Sequence, residues 1–122
     1  MGNQYGHFPR GPKRLLMAAR WSFQGLQAAW LHESSFRLEV YLSLALVPAA
    51  LVLGATGLER ALLGGSVLAV LAVELLNSSI EAVIERYGPE HHELAGRAKD
   101  MGSAAVFIVM LNALITWLLV LV

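Results

Sequence analysis

The chain has 122 residues, of which 57% are hydrophobic and only 15% charged, with nine basic and nine acidic side chains and no cysteine. A soluble domain carries about 25% charged residues, whereas here 54 residues, in the stretches 40–58, 61–73 and 101–122, hold no charge at all. These numbers exclude a polar disordered chain, a disulfide scaffold and a thiolate metal site, and they predict one membrane-embedded, all-α domain over residues 1–122.

In chain order, residues 1–11 hold three glycines and few apolar side chains, and are expected to form a mobile tail. The first 39 residues contain no long apolar run, so no cleavable leader is expected. From Pro12, a residue suited to a helix start, Leu15, Ala19, Phe23, Leu26 and Trp30 recur every three or four positions. This predicts a helix over 12–36 lying along the cytoplasmic membrane surface, with Trp21, Trp30, Phe36 and Tyr41 as interfacial aromatics.

Three membrane spans follow. A spanning helix needs about 20 mostly apolar residues. Residues 40–58 supply 19 without charge, broken only by Pro48 and glycines, which membrane helices tolerate. The third span, 101–122, has Asn112 as its one strongly polar interruption. The middle run, 61–73, is only 13 residues and can cross only by continuing to about 83, taking Glu74, Asn77 and Glu81 with it. Eight of the nine basic residues lie before span one or between spans two and three. Lysine and arginine excess marks the cytoplasmic side, so the N-terminus is expected inside, the Glu59–Arg60 turn outside and the C-terminus outside.

Glu74, Asn77, Ser78, Glu81 and Glu85 follow the spacing i, i+3, i+4, i+7, i+11, which lines one helix face. A packing face would use Asn77 and Ser78 as interhelical glue. Three carboxylates of one sign serve packing poorly, because intramembrane charge costs roughly 2.5–3.5 kcal/mol per group and asks for cations. Lys99, one turn from Ser103 and beside Asp100, falls at the same depth as Glu81 in a hairpin of spans two and three, and Glu33 falls at that level too. Hard oxygen ligands suit magnesium held jointly with phosphates, and a deeper carboxylate, Glu74, suits general-base work on a lipid hydroxyl. The set points to phosphoryl transfer at a membrane surface. No G-x-x-x-x-G-K-[ST] or G-x-G-x-x-G motif is present. His91–His92 between Glu90 and Glu93 resemble zinc ligands only weakly; loop histidines are ordinarily solvated. Trp117 reads as an interface anchor, and Asn112 as an interhelical hydrogen-bonding group or a contact to lipid glycerol.

At these residues the chain resembles the bacterial integral-membrane diacylglycerol kinase family. The resemblance is carried by Ala28–Arg37 (AAWLHESSFR), by Glu74–Val83 (ELLNSSIEAV) and by His92–Ala105 (HELAGRAKDMGSAA), and it runs from about Arg14 to the C-terminus. It implies a homotrimer of three-span protomers with shared active sites in the bacterial inner membrane, transferring the γ-phosphoryl of MgATP to diacylglycerol to give phosphatidate in phospholipid recycling. It implies Glu74 as catalytic base, Glu33 and Glu81 as Mg2+ ligands, Lys99 on the phosphates, and Asn77 orienting Glu74 or the phosphate. Arg14, Trp21, Glu90, His91, His92 and Asp100 are expected near the nucleotide, with Trp21 standing where relatives are expected to carry tyrosine. Arg14, Ala18, Ser103 and Asn112 are expected near the lipid. Two alternatives stand beside this: an undecaprenol kinase of the same family, and a small proton-coupled transporter using Glu74. Three spans and a metal-like carboxylate set argue against the transporter, and no nucleic acid partner is expected.

Overall fold

A computed structural model describes residues 11–86 and 93–122, which form four helices: α1 (Pro12–His32), α2 (Ser34–Leu53), α3 (Gly57–Arg86) and α4 (Glu93–Leu121). The expected tail, apart from Gly11, lies outside the described residues, as do Glu90, His91 and His92.

The helix expected over 12–36 is divided at Glu33, whose backbone is extended (φ −118°, ψ 105°). Arg37 accounts for the break. Its Nη1 donates to the carbonyl oxygens of Trp30 (2.6 Å) and Leu31 (3.4 Å), groups that a helix end leaves without partners. Phe36 therefore belongs to the first turns of α2, where it is buried, and not to α1.

At 20 residues α2 is about 30 Å long. It stops at Leu53, short of the expected residue 58, because the chain turns at Gly54 and a new helix is capped at once. Thr56 Oγ1 accepts from the Glu59 N–H (3.2 Å), while the Glu59 carboxylate accepts from the Ala55 N–H (2.6 Å). Arg60 Nε donates to the Gly54 carbonyl (3.1 Å). A Cβ on Gly54 would lie 2.6 Å from Arg60 Cγ and 2.9 Å from its backbone nitrogen, so this corner closes only on glycine.

Helix α3, 30 residues long, is the central element: α2 packs along one side and α4 along another, while α1 touches α2 and α3 more lightly. α2, α3 and α4 are each long and apolar enough to cross a membrane. The expected middle span, 61–83, lies wholly within α3, and α4 begins eight residues before the expected 101.

The packing inverts that of a soluble protein. Among the described residues, those buried are Ala29, Phe36, Ala50, Leu63 and Val67, the glycines Gly54 and Gly102, and six polar ones, Glu39, Ser43, Ser66, Glu74, Asn77 and Ser78. Large apolar side chains such as Phe107 and Leu119 point outward instead. Lipid makes that arrangement stable, since apolar groups gain nothing by leaving it and polar groups must find partners inside. Ser43, Ser66 and Ser79 satisfy their hydroxyls on the carbonyls three residues earlier, at 2.7–2.8 Å. Trp117, expected as an interface anchor, instead ties α4 to α3. Its indole N–H is shared between the Leu63 carbonyl and Ser66 Oγ, both at 3.2 Å.

Candidate active site

The polar stripe of α3 descends through the molecule as its periodicity predicts. Glu74, Asn77 and Ser78 are buried, Glu81 is half-buried and Glu85 is exposed. Glu74 and Glu81 are seven residues apart, roughly 10 Å along the helix. That spacing accommodates a phosphoryl group between a deep carboxylate and a shallower one.

Two clefts meet at Glu81. One, of about 520 Å³, lies between the last turns of α1 and the α3 stripe, and is lined by Gly25, Ala28, Ala29, His32, Glu33, Ser78, Ser79, Glu81, Ala82 and Glu85. The other, of about 100 Å³, is formed by Glu81, Ile84, Glu85 and Lys99, between α3 and α4. The helix break at Glu33 is what delivers this carboxylate to the first cleft: Glu33 is the one extended residue between α1 and α2. Three elements thus converge on a single carboxylate, with two further acidic groups and one ammonium around it.

Among the described residues no three histidine, cysteine, aspartate or glutamate side chains form a ready-made metal cage. Magnesium seldom asks for one; it commonly takes one or two carboxylates and completes its shell with phosphate oxygens and water. Glu33 and Glu81, both hard oxygen donors on the same cleft, fit that pattern.

Asn77 makes its hydrogen bond to Glu81 (Nδ2 to Oε1, 3.3 Å), not to Glu74. Its carbonyl oxygen Oδ1 is buried and accepts nothing. Glu74 has a neighbour that the spacing on α3 does not reveal. Glu39 of α2, buried at 8% exposure, neighbours the Glu74 carboxyl across the α2–α3 packing. No N–H donor meets Oε2 of Glu39. Glu39 also lines an otherwise largely apolar cavity of about 250 Å³ between α2, α3 and α4. In the sequence it is one carboxylate at the edge of an apolar run, with no partner at helical spacing.

The remaining candidates lie elsewhere. Arg14 and Ala18 are exposed on the first turns of α1. Arg14 is 19 residues before Glu33, about 28 Å along the helix, beyond the reach of one side chain. Trp21 is about 42% exposed on the same helix. Asp100 and Ser103 are exposed on α4 beside Lys99. Asn112 is exposed too and makes no hydrogen bond within the described residues, so the expected interhelical bond is not formed in this chain.

Residues 20–121 match the family model described as prokaryotic diacylglycerol kinase. The chain is 50% identical to a diacylglycerol kinase of Escherichia coli (strain K12) over 111 residues, 91% of each chain. It is 47% identical over 107 residues to one from Haemophilus influenzae, covering 88% of this chain and 91% of the relative. It is 45% identical over 107 residues to one from Pseudomonas aeruginosa, covering 88% and 87%. The matched region contains the whole of α3, which carries the carboxylate stripe, and with this extent of identity the chain belongs to the prokaryotic diacylglycerol kinase family.

Proposed function

We propose that the protein transfers the γ-phosphoryl group of ATP to the free hydroxyl of diacylglycerol at the cytoplasmic face of a bacterial inner membrane, giving phosphatidate. The observation that carries this is the convergence on Glu81 of the Glu33 cleft and the Lys99 cleft, with buried Glu74 about 10 Å deeper on the same face.

Phosphoryl transfer demands chiefly positioning and charge compensation. Lys99 meets the phosphates as a point charge from the α4 side. Glu33 and Glu81 would hold magnesium together with the nucleotide, and the ion would supply charge compensation for the phosphates there. Glu74 lies at the depth of a lipid headgroup hydroxyl and accepts its proton as the oxygen attacks phosphorus. The leaving oxygen departs with ADP. Glu39, packed beside the Glu74 carboxyl from α2, helps to hold it in place. Asp100 and Trp21 serve the nucleotide, as do Glu90, His91 and His92 of the α3–α4 connection.

The site is proposed to be complete only in a homotrimer. Arg14 and Ala18 are too far from their own Glu33 to act there, and a neighbouring protomer places them, with Ser103 and Asn112, around its partner's lipid. The N-terminus is assigned to the cytoplasm and the C-terminus to the far side, on the basic-residue bias.

The test is transfer of labelled phosphate from ATP by the purified protein in detergent or lipid, with diacylglycerol and undecaprenol competing. Labelled phosphatidate is expected. Preferential undecaprenyl phosphate would shift the acceptor and keep the chemistry; substrate-dependent proton flux without ATP consumption would overturn the kinase assignment.

A further inference from the structure

Asn77 and Gly102 meet at the crossing of α3 and α4. Gly102 is the only buried residue of α4, and a Cβ built on it would land on Asn77 Oδ1, with Asn77 Cγ at 3.3 Å and Ile80 Cδ1 at 3.8 Å. The Asn77 amide is thus pressed between the hydrogen-only face of Gly102 and the Glu81 carboxylate, to which Nδ2 donates. This is the orientation that the hydrogen bonding favours. The opposite one would set Oδ1 against a carboxylate oxygen and waste the amide's donors.

Asn77 Oδ1 is buried and accepts no hydrogen bond. An unsatisfied buried acceptor is unfavourable, so the amide sits where it does because contact with Gly102 and the bond to Glu81 hold it there. Any side chain at 102 displaces it. The colliding atom is the far end of a side chain, and an apolar cavity of about 380 Å³, lined by Val73, Leu76, Ile80 and Met101 among others, opens beside it. The amide can therefore swing aside without separating the helices. What is lost is the Asn77–Glu81 bond.

We propose that Gly102 is a positioning residue for the metal carboxylate, acting through the Asn77 amide to hold Glu81 in its ligating orientation. This rests on the assignment of Glu33 and Glu81 as metal ligands. Removing partners that orient a ligand typically costs 10–100-fold in metal affinity, and Gly102 acts at one remove, so about a tenfold loss is expected.

The test uses full-length protein in detergent and measures Mn2+ binding by electron paramagnetic resonance with a non-hydrolysable ATP analogue, alongside magnesium titrations of activity and thermal unfolding without metal. Gly102→Ala is expected to weaken Mn2+ binding about tenfold and to raise the magnesium requirement in step, with the unfolding temperature little changed. Asn77→Ala should do the same, and the Asn77→Ala/Gly102→Ala pair should be no worse than Asn77→Ala alone, since the colliding oxygen is gone. Wild-type Mn2+ binding by Gly102→Ala, or additive losses in the pair, overturns the inference. If Gly102→Ala alone fails to fold, recovery of folding in the pair supports the contact and its persistence overturns it. Glu81→Gln separates the two levels. If it binds Mn2+ normally, the ligand assignment and the inference both fall; if it weakens binding and Gly102→Ala does not, the inference alone falls.

Discussion

At the scale of single residues, the acidic groups differ in depth. Glu74 is buried beside Glu39, while Glu33 and Glu81 border an open cleft. Glu74→Gln keeps the shape and removes the proton acceptor, so phosphatidate formation is expected to fall by at least about two orders of magnitude, within the usual range for a general base. The variant should elute from size exclusion as wild type does. Glu33→Gln and Glu81→Gln should each move the magnesium titration of activity to higher concentration, and unchanged titrations would refute ligation. Glu39→Gln puts a neutral amide that can donate to Glu74 in place of the carboxyl, so it is expected to keep more kcat than Glu39→Ala, with the KM for ATP alike in both. Of these four carboxylates, Glu33, Glu74 and Glu81 are legible in the sequence from their depth and spacing. Glu39 is not, because its partner lies on another helix and no spacing along α2 encodes it.

At the scale of elements, helix ends and crossings carry the precision. The three apolar runs identify the long helices, but their limits follow local chemistry that hydropathy does not express. Arg37 ends α1 by binding carbonyls six and seven residues back, and the Thr56–Glu59 cap starts α3. Arg37→Ala leaves those carbonyls to find other partners. It is expected to loosen the α1–α2 junction, raising amide exchange in Trp30–Glu33 and lowering activity by displacing Glu33; Arg37→Lys should recover part of both. The α3–α4 pair is pinned near its other end by Trp117. Interhelical hydrogen bonds in membranes average about 0.6 kcal/mol. Trp117→Phe should therefore lower stability by about that amount in reversible detergent unfolding and leave the kinetics nearly untouched, since Trp117 lies at the opposite end of the pair from Lys99.

At the scale of the whole molecule, a single chain leaves its site open. The α1 face bearing Arg14, Ala18 and Trp21 is separated from Glu33 by most of the helix, and the outward surface of α4 after Ser103 is apolar apart from Asn112. Co-expressing inactive Glu74→Gln subunits with Arg14→Ala subunits is expected to restore activity above either variant alone, through trimers in which one intact site draws α1 from a neighbour. Failure of the mixture to exceed the better parent would confine each site to one protomer. The sequence by itself determined that the chain has three helices long and apolar enough to cross a membrane, and that a polar, acidic stripe begins where the middle apolar run falls short at Val73. Each follows from transfer free energies and helical periodicity, which depend only on local order along the chain. The tertiary structure decided which groups meet: Glu39 with Glu74, Asn77 with Glu81 and Gly102, and Glu33 with Glu81. Those contacts join different helices or turn on side-chain direction, and both are set by close packing between α2, α3 and α4.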